Sequence, residues 1–261
     1  TYVGAYVDDL LITGGDVEGI KDVKAQLKKR FRVSDLQECK WLLGCELQRD
    51  FNKHTAVLSQ TKFINDILNK FKLQDIPIAS TPAISGDKML KEWIPTEGSA
   101  EDQEMTRAKG GALSKASIYR GIVGSLLWLS RCTRPDISYQ VSQLSRHLHR
   151  PGLQHLARAI RVCAYIKGTK EVGIKIGGKK DEIAHRHAHR PHQLYAFSDS
   201  SFCDQEDSKS SYGYLVCMNG SPVTWAAKTQ IDQALSTCEA EYIALSHATS
   251  ESMYLLSLIH I

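Results

Sequence analysis

No stretch of this 261-residue chain approaches the roughly 20 consecutive apolar residues of a membrane-spanning helix, so no membrane partner is expected. Nor does it open like a secretory leader, since Thr1 begins a strand-like segment without a basic head or an apolar core. A start methionine is missing too, and the chain is read as an internal piece of a longer product. Its seven cysteines, Cys39, Cys45, Cys132, Cys163, Cys203, Cys217 and Cys238, are scattered without one CxxC pair. That argues against a disulfide frame or a zinc ribbon, and for reduced thiols inside a cell. No internal repeat is present.

What is there is an ordinary globular composition, 42% hydrophobic and 24% charged, with room for one large domain or two small ones. The net charge of +4 is unevenly spread. Arg146 to His192 holds 11 Lys+Arg against 3 Asp+Glu, and Gln193 to the end holds 2 against 8. A basic segment before an acidic one fits a nucleic-acid grip beside a carboxylate metal site, although solvated faces can differ in charge by chance.

Periodicity predicts an α+β chain. Tyr2–Thr13 reads as two strands with a turn at Asp8-Asp9, and Val17, Ile20, Val23, Leu27 and Phe31 recur at helical spacing. A hairpin is expected from Glu46–Arg49 and Thr55–Leu58, then a helix near Thr61–Phe71. The breakers Pro77, Pro82 and Pro95 and the run EGSAEDQEMTRAKGG mark 74–117 as a linker or loosely packed connection. Helical spacing returns at Ile118–Ser130, and Asp136 of the RPD triplet is expected to cap the next helix. Leu153–Ile166 is a third helix with a basic outer face, Val172–Ile176 a strand, and the stretch to His192 a polar loop. Leu194–Phe197, Tyr212–Met218 and Pro222–Ala226 are strands, the last two joined by the hairpin signal Asn219-Gly220. A helix begins near Thr237 and runs through Met253.

Within this frame Asp8 and Asp9 stand out. Aspartates are common at turns, and an ordinary hairpin tip is one reading. The apolar flanks suggest instead a hairpin packed in a core, where paired carboxylates repel unless a hard cation such as Mg²⁺ neutralises them. The stretch YVDDLLITG resembles the polymerase signature of reverse transcriptases from copia-type LTR retrotransposons. The resemblance implies that Asp8 and Asp9 bind catalytic Mg²⁺ on a palm hairpin, with Tyr6 and Val7 near the primer end and the incoming nucleotide. A third family aspartate lies on an earlier strand that would precede Thr1. KWLLGCEL resembles the following primer grip, which puts Trp41, Leu42 and Gly44 against the primer.

The stretch Tyr119–Ile176 resembles the same family's connecting region. Its helices offer Arg146, Arg150, Arg158, Arg161 and Lys167 to nucleic-acid phosphates; ordinary helix solvation is the alternative for each. AFSDSSF puts Asp199 just after a strand, and STCEAEYIALSHA puts Glu241 at a helix start. By themselves they read as a turn residue and a helix-dipole partner. Together with KSSYGYLV and SPVTWAAKTQ they resemble a copia-type ribonuclease H, in which carboxylates hold two Mg²⁺ ions. Asp199 and Glu241 match the ligand positions, Glu239 is expected to point off that helix face, and Asp204 and Asp207 are left as loop residues. The family's further acidic ligands are not in this chain.

The histidines of AHRHAHRPH, His185, His187, His189 and His192, could bind Zn²⁺. A solvated loop touching phosphate below neutral pH is preferred. LSLIHI at the end is what CTG-TCT-CTT-ATA-CAC-ATC encodes, a sequencing-adapter end, so residues 256–261 are expected to be adapter read-through. A natural apolar helix end is the alternative.

The expected layout is therefore residues 1–58 as the end of a polymerase palm and 59–117 as a thumb-like helix and linker. Residues 118–192 follow as the connection and 193–255 as the N-terminal half of a ribonuclease H-like domain. The resemblance implies an intracellular parent, in a cytoplasmic particle or the nucleus. That parent would use an RNA template, a DNA primer, deoxynucleoside triphosphates and an RNA–DNA hybrid. The fragment is expected to be inactive for want of ligands. A non-catalytic nucleic-acid-binding remnant and a zinc-dependent binding module are the competing classes.

Overall fold

A computed structural model of the chain describes residues 1–84, 86, 91–108, 113–178, 194–205 and 207–259. It is a mixed α/β structure that divides into two compact units, Thr1–Leu43 and Gly44–Ile261.

The first unit holds an antiparallel hairpin of β1 (Tyr2–Tyr6) and β2 (Asp9–Thr13), a helix α1 (Val17–Arg30) and a two-residue strand β3 (Trp41–Leu42). Asp16 caps α1 by accepting the Glu18 N–H at 3.1 Å. Glu18 in the first turn and Lys28, Lys29 and Arg30 in the last complement the helix dipole. No residue of this unit is fully buried, and every residue of β1 is exposed. The expected burial of the hairpin in a core is therefore not found. One helix and a two-residue strand are too little to enclose both faces of a hairpin.

The second unit is built on helices. Its strands β4 (Cys45–Asp50) and β5 (Thr55–Ser59) form the expected hairpin, with Asp50 accepting the Asn52 and Lys53 N–H groups at 3.0 Å. Strand β6 (Ile174–Gly177) adds antiparallel to β5. The helices are α2 (Thr61–Lys70), α3 (Ala100–Thr106), α4 (Lys115–Cys132), α5 (Ser138–Ser145) and α6 (Leu153–Gly168). Their apolar stripes meet in one core: Ile64 and Ile67 of α2, Ile122, Leu126 and Leu129 of α4, Val141 and Leu144 of α5, and Val162 and Ile166 of α6. Each such side chain removed from water contributes about 2 kcal/mol. A meander of β7 (Leu194–Ser201), β8 (Ser211–Met218) and β9 (Ser221–Thr229) follows, with α7 (Thr237–Ile259) packed on β7 and β8. The Asn219-Gly220 turn takes φ of +53° and +74°, as a tight primed turn requires.

Three sequence expectations need correction here. The 74–117 stretch is not a loose linker throughout. Ser99 caps α3, Met105 is buried, and Glu101 accepts the Leu153 N–H at 2.7 Å, so α3 tethers the start of α6. A Cβ at Gly152 would overlap the Trp93 carbonyl oxygen, which is why glycine stands there. Asp136 does not cap α5. Its carboxylate is taken by the wholly buried Arg134, whose Nε and Nη2 donate at 2.9 and 2.7 Å, and by the Tyr165 hydroxyl at 2.9 Å. Third, Asp199 lies within β7 rather than after it, because pairing with β8 carries the strand on to Ser201. The α7 helix continues unbroken to Ile259, across most of the suspected adapter residues.

Burial by itself would raise the Asp136 carboxyl, but the Arg134 guanidinium and the Tyr165 hydroxyl outweigh it and hold it below its ordinary value. Asp136→Asn leaves a buried guanidinium without its counter-charge. It should lower unfolding stability by about 3 kcal/mol in urea titrations at pH 7.

His155 is also fully buried, with Nδ1 accepting the Gly152 N–H at 3.0 Å and its ring stacked 4.1 Å from His147. Burial first, and His147 second, push it down to about 4 from an ordinary 6.5. Its folded value lies below its unfolded one, so its contribution is complete above pH 6.5 and is lost as pH falls toward 4. Stability should drop by about 3 kcal/mol across that window, and His155→Phe should flatten the drop in urea midpoints measured from pH 7 to 4.

Candidate active sites

The Asp8-Asp9 site is made by a two-residue turn. The turn residues are Val7 and Asp8, and Asp9 is already the first residue of β2, opposite Tyr6. The structure thus moves the expected turn back by one residue. Val7 takes φ of +50°, a conformation a β-branched side chain adopts at a cost of about 1–3 kcal/mol. The outcome is one carboxylate on the turn and one on the strand, adjacent in sequence and both exposed. Tyr6 and Val7 are 61% and 87% exposed, so the tip as a whole is open to a ligand. Water around the two carboxylates screens their repulsion, which weakens the burial argument for an obligatory cation. Of the expected primer-grip residues, Trp41 is exposed and Leu42 half-buried in β3, and Gly44 takes φ of +78° after Leu43 at +50°.

The second pair is built on β7 and α7. Ala240, Ala244 and Ala248 form the buried stripe of α7, and their small side chains let the helix lie close on the sheet. The helix packs on the sheet face carrying Tyr212 and Thr224, through a Tyr212–His247 ring stack at 4.4 Å and a Thr224 hydroxyl donating to Glu251 at 3.2 Å. Glu241 reaches β7 itself and accepts the Ser200 N–H at 3.3 Å. Strand alternation puts the Asp199 side chain on the opposite face, with Phe197 and Leu215. Asp199 and Glu241 therefore flank neighbouring positions of β7 from the strand and from its open edge. The two carboxylates do not hydrogen-bond each other. Glu239 is indeed turned away: it accepts the Leu235 N–H at 2.6 Å, while Ser236 accepts the Glu239 N–H at 3.1 Å, a reciprocal helix cap.

Each of the five basic residues expected to grip phosphates sits beside a group of the protein itself. Arg146 bonds Gln205 and lies 3.7 Å from Asp207, and Arg150 pairs with Glu97 at 3.1 Å. Arg158 lies 5.3 Å over the Trp93 ring, Arg161 donates to Thr81 at 3.0 Å, and Lys167 to the Ile76 carbonyl at 2.8 Å. Asp204, left as a loop residue, proves to anchor the β7–β8 loop. It accepts the Ser211 N–H at 2.8 Å and the Tyr139 hydroxyl at 3.3 Å, partners 7 and 65 residues away that local sequence could not reveal. Among the described residues no group of three or more His, Cys, Asp or Glu is placed to hold a metal ion. The His185, His187, His189 and His192 cluster lies outside the described residues.

The caps and the site carboxylate separate on stability. Glu239→Ala should cost about 1 kcal/mol of unfolding free energy. Glu241→Ala, at an exposed position with one long hydrogen bond, should cost under about 0.5 kcal/mol in the same urea titration.

Residues 1–85 match the family model described as reverse transcriptase (RNA-dependent DNA polymerase). The chain is 34% identical, over 96% of its length, to the retrovirus-related Pol polyprotein from transposon TNT 1-94 of Nicotiana tabacum. It is 33% identical, over 99% of its length, to that from transposon RE1 of Arabidopsis thaliana. It spans 17% and 16% of those two relatives. An uncharacterized mitochondrial protein of Arabidopsis thaliana is 30% identical and is covered over 92% of its own length. No solved structure matches.

Proposed function

The chain belongs to the retrovirus-related Pol polyprotein family of copia-type transposons, and from that premise we propose that it carries parts of two Mg²⁺-dependent nucleic-acid enzymes. Residues 1–58 are the end of a polymerase palm and 59–117 a thumb-like part. Residues 118–192 are the connection, and 193–255 the first half of a ribonuclease H-like domain. The parent copies an RNA template from a DNA primer with deoxynucleoside triphosphates and degrades the RNA of the resulting hybrid. The observation that carries the polymerase half is the tight turn setting Asp8 and Asp9 side by side at an open tip, inside the segment that matches the reverse transcriptase model. The ribonuclease half rests on the Glu241 carboxylate meeting β7 one residue from Asp199.

Hard carboxylate oxygens suit Mg²⁺, and each pair supplies two carboxylates. When bound, the ion supplies charge stabilisation for phosphoryl transfer and activates an attacking oxygen. Asp8 and Asp9 would hold it in the polymerase, Asp199 and Glu241 in the ribonuclease. Tyr6 and Val7 would border the primer end and incoming nucleotide, and Trp41, Leu42 and Gly44 would steady the primer. Arg146, Arg150, Arg158, Arg161 and Lys167 would offer phosphates a diffuse positive field, since their internal contacts hold the side chains without cancelling all the charge. Neither pair gains a third ligand among the described residues. On this reading the isolated chain binds without turnover.

The test is primer extension and hybrid cleavage by the purified chain in Mg²⁺, beside a control carrying D8N, D9N, D199N and E241Q. The expected result is no turnover above that control, with hybrid binding that weakens about tenfold or more between about 50 and 200 mM salt. Turnover well above the control would overturn the incompleteness of the sites. Binding indifferent to salt would overturn the phosphate-contact reading.

A further inference from the structure

We propose that Cys45 and Cys132 are an oxidisable thiol pair, a site at which a small-molecule disulfide of the glutathione class installs a bond between β4 and the end of α4.

Two routes of geometry bring these residues together. In the β4–β5 register Glu46 lies opposite Ser59, so their chain neighbours Cys45 and Gln60 sit at the same end of the hairpin. The Gln60 Oε1 accepts the Thr133 hydroxyl at 2.8 Å in a buried contact, and Thr133 directly follows Cys132. The start of β4 and the end of α4 thus come together near Gln60, where Cys45 and Cys132 lie beside each other. Both are reduced, Cys45 at 4% exposure and Cys132 partly exposed. Joining them needs the sulfurs to close to the roughly 2.0 Å of a covalent S–S bond.

Exposure orders the chemistry. The Cys132 thiolate attacks one sulfur of the oxidant, whose S–S bond breaks and releases one small thiol. Cys45 then gives up its proton and attacks the Cys132 Sγ, and the mixed disulfide breaks to release the second small thiol. Two protein thiols lose two electrons and two protons, and one oxidant disulfide becomes two thiols. Burial pushes the Cys45 thiol up to about 12, with Cys132 beside it adding to the rise, and burial raises Cys132 as well. Thiolate is therefore scarce near neutrality, and the exchange quickens about tenfold per pH unit. The bond spans 88 residues counted inclusively from 45 to 132 and restrains the unfolded chain. Beside Gly44, it would also tie a residue of the suggested primer grip to the helical core, a consequence that rests on the proposed function; the bond itself does not.

The full chain is incubated with oxidised glutathione at pH 8.5, and remaining thiols are alkylated. Intact mass and a non-reducing peptide map are then read. The expected result is a loss of 2 Da, five alkylated cysteines of the seven, one linked Cys45–Cys132 peptide pair, and a thermal midpoint higher by about 5–10 °C. Cys45→Ser and Cys132→Ser should each abolish the 2 Da loss. The wild-type map decides the question even where these variants fold poorly. Seven alkylated cysteines, stable glutathione adducts without the linked pair, or a link through any other cysteine would overturn the proposal. Primer extension is not part of the readout, so failure here and failure of the enzymatic reading are separate results.

Discussion

A fully buried guanidinium is costly unless its donors are taken, and the second unit is arranged around meeting that demand at Arg134. Its Nε and Nη2 fork onto Asp136, its Nη1 reaches the Thr169 carbonyl at 3.0 Å, its Nη2 also donates to the Thr169 hydroxyl at 2.7 Å, and the Tyr165 ring lies 5.5 Å from its centre. The end of α4, the turn before α5 and the end of α6 are thereby held at one point. From Thr169 the chain leads into β6, which pairs with β5. From the same end of α4 the Ser130 carbonyl accepts the Trp225 indole N–H of β9 at 2.6 Å. Both sheets of the unit are thus tied to this one helix terminus.

The two carboxylate pairs are presented in different ways. Asp8 and Asp9 owe their proximity to adjacency in the chain and to a strained residue before them. Glu241 owes its place beside the strand that carries Asp199 to packing: a stripe of alanines lets α7 lie close on the sheet, and the open edge of β7 leaves the Ser200 N–H for Glu241 to accept. The β7–β8 loop beyond Asp199 is fastened to α5 through Tyr139 and Arg146. A nucleic acid seeking the Arg146 charge would meet a side chain already engaged in holding that loop.

Local signals were legible where local energetics decide. Asn219-Gly220 announced its turn because both residues tolerate positive φ, and the stripes of α2, α4 and α6 announced their buried faces through spacing. The turn at Val7 was misplaced by one residue because a β-branched side chain argues against the conformation it adopts. Asp136 looked like a cap, yet a guanidinium two residues away bonds a carboxylate more strongly than a helix N–H does. The prolines of the 74–117 stretch hid α3, whose Ser99 cap and first-turn Glu101 and Asp102 were present in the letters all along.

The sequence alone pointed to the family, through stretches such as YVDDLLITG and KWLLGCEL, and it determined most helices and hairpins, whose stability is set within a few residues. Tertiary structure alone decided which carboxylates are structural and which stand open. Glu239 is bound into a cap and Asp204 into a loop anchor, while Asp199 is left exposed and Glu241 holds only a long bond to the strand edge. It likewise gave the five suspected phosphate contacts their internal partners and brought Cys45 to Cys132. A charge or a thiol is defined by what lies within a few ångströms of it, and for these residues most of those neighbours come from far along the chain.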